Sequence, residues 1–153
     1  MLYTNRQGAG FQVTSLPYAR LHPNTVTGTA AYADYDGDGL LDVLETVQAR
    51  SFVTRLLHNE TASAGAHWLG VRLWGGASNR DAAGAIVILR DGDRELGRRA
   101  LGQGGLGTST EIGYFGLGPH ATLSGIDVRW PEGTRSTLGG TLKADHVIDV
   151  PHP

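Results

Sequence analysis

One stretch limits what this chain can become: Asp34-Tyr35-Asp36-Gly37-Asp38-Gly39-Leu40-Leu41-Asp42. Four carboxylates at alternate or nearly alternate positions, with two glycines among them, cannot join an apolar core. Packed within a few ångströms, they repel one another unless a cation sits between them. An all-oxygen donor set suits a hard ion. Calcium accepts about six to eight oxygens in a tolerant geometry, whereas magnesium retains several of its waters. The stretch is therefore expected to bind calcium through the carboxylates of Asp34, Asp36, Asp38 and Asp42 and the carbonyl of Leu40, with water filling the shell.

Counted from Asp34, carboxylates fall at positions 1, 3, 5 and 9, glycine at 6 and Glu45 at 12, which is the spacing of an EF-hand loop. An EF-hand needs a helix on each side. Thr25-Val26-Thr27-Gly28-Thr29 is β-branched and contains glycine, so it is poor helix material. Leu41 to Val47 alternates as a strand does. In a strand, Glu45 lies about 10 Å beyond Asp42 and points to the opposite face, too far to close the cage. The expectation is a loop that joins two strands.

The remainder of the chain predicts an all-β fold. Its 23 glycines follow no collagen period and punctuate short apolar runs. Extended pieces are expected at Leu2 to Asn5 and Phe11 to Thr14 around a turn at Gly8 and Gly10, then at Thr27 to Ala33, Leu41 to Val47 and Phe52 to Leu57. Pro17 and Pro23 interrupt the pattern. A polar, small-residue segment marks a boundary, giving units at residues 1–60 and 66–150 with a linker at 61–65. In the second unit Leu69, Val71 and Leu73 alternate with Trp68, Arg72 and Trp74, so the two sets face opposite ways. Ala85 to Leu89 reads as a buried strand, and Asp91-Gly92 as a hairpin turn into a polar, ambiguous stretch from Arg94 to Leu101. Glu111 to Phe115, Ile126 to Trp130 and His146 to Val150 complete the strands, with turns at Gly116-Leu117-Gly118-Pro119 and Pro131-Glu132-Gly133.

Two resemblances cover nearly the whole chain. Ala30-Ala31-Tyr32-Ala33 before the loop, Leu40-Leu41-Asp42-Val43-Leu44 after it, and Leu56-Leu57-His58-Asn59 make residues 1–60 similar to the FG-GAP or VCBS repeat of integrin-type β-propellers. Leu2-Tyr3-Thr4-Asn5 with Gly10-Phe11 resembles the closing element of a preceding repeat. That resemblance implies a partial propeller blade with a calcium loop between two of its strands. Four further motifs are His67-Trp68-Leu69-Gly70-Val71-Arg72-Leu73, Ser78-Asn79-Arg80-Asp81-Ala82-Ala83-Gly84-Ala85, Phe115-Gly116-Leu117-Gly118 and Val128-Arg129-Trp130-Pro131-Glu132-Gly133. They resemble the ASPIC/UnbV domain of cartilage acidic protein and of many bacterial secreted proteins. The implied architecture is a small β-sandwich-like domain after the partial blade. The implied role is non-enzymatic and extracellular or at the cell surface. One blade cannot bury both its faces, so further blades or other protein chains are expected as partners, self-association into a fibre or surface layer included.

Other function classes find little support. A net charge of −2 with scattered basic residues argues against nucleic acid, and no run is long enough to span a membrane. The absence of cysteine removes disulfides and thiolate chemistry. Gly102-Gln103-Gly104-Gly105-Leu106-Gly107 has dinucleotide-loop spacing but lacks the helix that must follow. The six histidines show no metal-ligand spacing and no nucleophile motif, so no enzyme is expected. Asn59-Glu60-Thr61 matches a glycosylation triplet that arises often by chance. An exposed Trp74 beside Arg72 could stack on a sugar ring or on a partner's side chain, which makes a carbohydrate-binding module the alternative.

Overall fold

The computed structural model of the chain describes residues 2–6, 9–14, 26–48, 52–62, 64–102 and 112–153. These residues contain twelve strands and no helix. β1 (Leu2–Asn5) and β2 (Phe11–Thr14) form a hairpin. β3 (Val26–Ala33), β4 (Asp42–Gln48) and β5 (Phe52–Leu57) form an antiparallel three-stranded sheet in sequence order. The turn at Gly8, the prolines 17 and 23, and the segment Gln103–Gly107 lie outside the described residues.

The second half builds two further sheets from β6 (His67–Trp74), β7 (Ile86–Asp91), β8 (Arg94–Ala100), β9 (Ile112–Gly118), β10 (Thr122–Arg129), β11 (Arg135–Lys143) and β12 (Val147–Pro151). One sheet runs β11-β10-β7-β8, the other β12-β6-β9, with β12 parallel to β6. Leu69, Val71 and Leu73 of β6 meet Val87 and Leu89 of β7, Phe115 and Leu117 of β9, and Ile126 and Val128 of β10 in one buried cluster. The two sheets therefore pack face to face as a sandwich. Each fully buried Leu, Val or Ile contributes about 1.5–3 kcal/mol relative to an exposed one, so this cluster is where the domain is held.

The period of two along β6 sends its aliphatic residues inward and Trp68, Arg72 and Trp74 outward, as the alternation requires. β7 is buried on both faces. Ile88 points away from the core cluster, yet it is covered, flanked by Asp127 and Arg98 on the neighbouring strands. Gly92 begins the two-residue turn from β7 to β8 at a φ of 59°, the left-handed value a II′ hairpin places there.

Three expectations need correction. The turn placed at 116–119 starts later, because Leu117 belongs to the core and β9 continues to Gly118. β10 begins at Thr122, four residues before the expected Ile126, with a bulge between Leu123 and Gly125. β11 was not expected at all. It is an edge strand with mostly exposed residues, and Gly139-Gly140 breaks its alternation, so no apolar signal announces it.

Candidate metal centre

The acidic loop bridges β3 and β4, which are paired directly at Ala33 and Asp42. Both flanking elements are strands, so the EF-hand arrangement is absent. Gly37 and Gly39 have φ values of 81° and 87°, a left-handed backbone that side chains resist. Those two residues allow the chain to curl inward, turning its carboxylates toward one another. Asp34 accepts hydrogen bonds from Gly37 N at 2.8 Å and Gly39 N at 3.0 Å; Asp38 accepts from Leu40 N at 2.8 Å, and Asp36 from Asp38 N at 3.3 Å.

Asp42 anchors the site. It is 1% exposed, and its two oxygens accept Tyr35 N at 3.2 Å and Asn59 N at 2.8 Å. One carboxylate thus ties the start of the loop to the chain leaving β5. The Asn59 amide adds a bond to Leu41 O at 3.2 Å.

Carboxylate oxygens of Asp34, Asp36 and Asp42 come within 4.8 Å of one another. A second group joins Asp36 and Asp38 to His58 over the same span. Of the expected ligands, Asp34, Asp36 and Asp42 converge, and Asp38 is linked to them through Asp36. Leu40 lies half-buried in the same loop. Hard oxygen donors at this spacing suit calcium.

His58 was not anticipated. Its Nε2 lies 3.0 Å from Asp36 Oδ2, and its ring meets Tyr35 edge-on at 5.7 Å between centroids. The hairpin register contains the missing signal: Val43 pairs with Leu57, which brings His58 alongside Asp42. Glu45 points to the other face of β4, where it is 3% exposed and 3.6 Å from Arg55 on β5.

The loop also meets the sandwich. A Cβ built on Gly39 would lie 1.9 Å from Trp68 Nε1, so the glycine backbone packs directly against the indole. Trp68 is held from behind by Asp145, whose amide donates to Trp68 O at 2.7 Å and whose carboxylate accepts Trp68 N at 3.2 Å. The same carboxylate pairs with His67 at 2.7 Å, and that bond holds the Asp145 carboxyl below its ordinary pKa. Tyr114, with its ring 5.8 Å from that of Trp68, has its phenol pushed up by burial first and by the charge of Asp34 second.

Arg72 and Trp74 are brought together at the other end of β6. Asp149 Oδ1 accepts from Trp74 Nε1 at 3.1 Å and from Arg72 at 3.4 Å. At the nearby end of the sandwich, His152 pairs closely with Glu132 and meets Trp130 edge-on at 4.8 Å. The Thr134 hydroxyl, then His152, hold the Glu132 carboxyl down at about 2, while Glu132 raises His152.

No curated protein matches the chain. A family model described as ASPIC and UnbV matches residues 75–153, 79 of the 153 residues.

Proposed function

The chain belongs to the ASPIC and UnbV family, and we propose that it is a calcium-stabilised structural and interaction module, extracellular or at the cell surface, without catalysis of its own. The observation that carries this reading is the convergence of Asp34, Asp36 and Asp42 within 4.8 Å, with Asp42 fully buried. Calcium would be held by Asp34, Asp36, Asp38 and Asp42 with the Leu40 carbonyl, and His58 would orient Asp36 through its hydrogen bond. The ion neutralises converging charge and acts as a staple between β3, β4 and the chain leaving β5.

Residues 1–60 are proposed to be a partial blade of the FG-GAP or VCBS kind. The three-stranded sheet with its acidic β3–β4 loop supports this. One face of that sheet carries Ala31, Ala33, Leu44 and Leu56 around a depression of about 310 Å³, and Leu44 and Leu56 are exposed. Another β-sheet of the same kind is the occupant this flat, apolar face suits.

Calorimetric titration with calcium tests the metal assignment, paired with melting curves in calcium and in EDTA. Saturable binding that raises Tm, and is lost in Asp34→Asn with Asp36→Asn, is expected because only the folded loop presents the cage. Identical melting in calcium and EDTA would remove it.

A further inference from the structure

We propose that Trp74, Arg72 and Asp149 form a platform for a neutral oligosaccharide, extended by the cleft beside it. The platform is independent of the acidic loop, which meets β6 at its opposite end, at Trp68.

Trp74 is 55% exposed, an unusual placement for an indole. It is also fixed. Its Nε1 donates to Asp149 at 3.1 Å, across the parallel pairing that sets Asp149 opposite Arg72 and Pro151 opposite Trp74. A ring tethered by its edge leaves a face that need not be ordered on binding, which removes part of the entropic cost of recognition.

Charge decides between ligand classes. Arg72 and Asp149 pair with each other at 3.4 Å, so together they present donors and acceptors without net charge. A strongly acidic or basic peptide would find no complementary field there. A pyranose does fit: its C–H face stacks on the indole while its hydroxyls bond a guanidinium and a carboxylate.

The neighbouring cleft has the same character. It encloses about 480 Å³ and is lined by Ser78, Asn79, Trp130, Glu132 and His152, with the Gly76 backbone. Its charged groups are again an opposed pair, His152 with Glu132. It adjoins the platform through the backbone: His152 N donates to Trp74 O at 2.7 Å, and Gly76 lies two residues beyond Trp74. A ligand with several hydroxyl-bearing rings can place one on Trp74 and the next in this cleft. The volume falls within the range of small-molecule sites, about 300–1,000 Å³.

The test uses the full chain with glucose, cellohexaose, N-acetylglucosamine and chitohexaose at concentrations up to about 10 mM, a range that reaches millimolar affinities. The indole N–H resonances of the three tryptophans are followed by NMR. The Trp74 resonance is expected to shift saturably, with the hexamers binding more tightly than the monosaccharides. Trp74→Ala should weaken binding about tenfold or more, and Trp74→Tyr should retain most of it. Glu132→Gln should reduce the advantage of the hexamers over the monosaccharides. A Trp74 resonance that stays still with all four sugars, or sugar binding undiminished in Trp74→Ala, overturns the assignment. A resonance that responds only to protein concentration also overturns it, by making the face a contact between copies.

Discussion

Gly39 and Trp68 are in direct van der Waals contact across two sheets, with the indole occupying the space a Cβ on residue 39 would need. Gly39→Ala therefore suffers twice. The left-handed φ of 87° costs about 1–2 kcal/mol, and displacing the indole adds about 1–3 kcal/mol. In a Trp68→Ala background only the backbone strain remains. A double-mutant cycle in urea should thus show coupling of about 1 kcal/mol or more. Additive costs would mean that the loop and the sandwich do not touch.

Asp42 should matter without any metal. Its oxygens satisfy the amides of Tyr35 and Asn59. Asp42→Ala leaves two donors without their partner, at about 1–3 kcal/mol each. Chemical denaturation in EDTA is expected to show a loss of about 2–6 kcal/mol, with Asp42→Asn in between. An unchanged midpoint for Asp42→Ala would contradict the anchoring role.

The pairing of Glu132 with His152 predicts a pH window. Glu132 is depressed from 4.5 to about 2, so its contribution is complete above pH 4.5 and fades as the pH falls toward 2. His152 is raised above 6.5, so its contribution is complete below pH 6.5 and fades as the pH rises through its folded value. The contact is strongest between about pH 4.5 and 6.5. NMR titration of His152 should show its pKa falling toward 6.5 in Glu132→Gln; no change would place the two groups apart in solution.

Two leucines separate the sealed core from the open face. Leu69 is fully buried in the sandwich, so Leu69→Ala should cost about 2–5 kcal/mol. Leu44 is exposed on the outer sheet, so Leu44→Ala should stay within about 0.5 kcal/mol in dilute solution. Urea midpoints of the two variants check this. A large loss at Leu44 under dilute conditions would mean that the face is already covered within one chain.

Where alternation and burial coincide, the fold could be read from the residues. β6 and β7 followed from their apolar patterns, and Asp91-Gly92 gave the hairpin from β7 to β8. β11 escaped because an edge strand needs no inward apolar row, and what pins it is register with β10. The acidic loop was plain from composition alone, but the surroundings of the loop were not. His58 enters through β4–β5 pairing and Trp68 through contact across sheets, neither of which leaves a local mark on the chain. Glu45 was separable from the loop carboxylates because a period of two fixes which face a strand residue takes.

The parallel pairing of β12 with β6 has a consequence for how the molecule is made. Gly70 finds its partner in Val147, 77 positions later, and Leu73 finds Val150. During synthesis β6 has one edge unmatched until β12 has left the ribosome. The sandwich must close late, over a long loop, which slows its acquisition. In that interval the open edge of β6 and its aliphatic row are where a newborn chain is most prone to pair with a stranger.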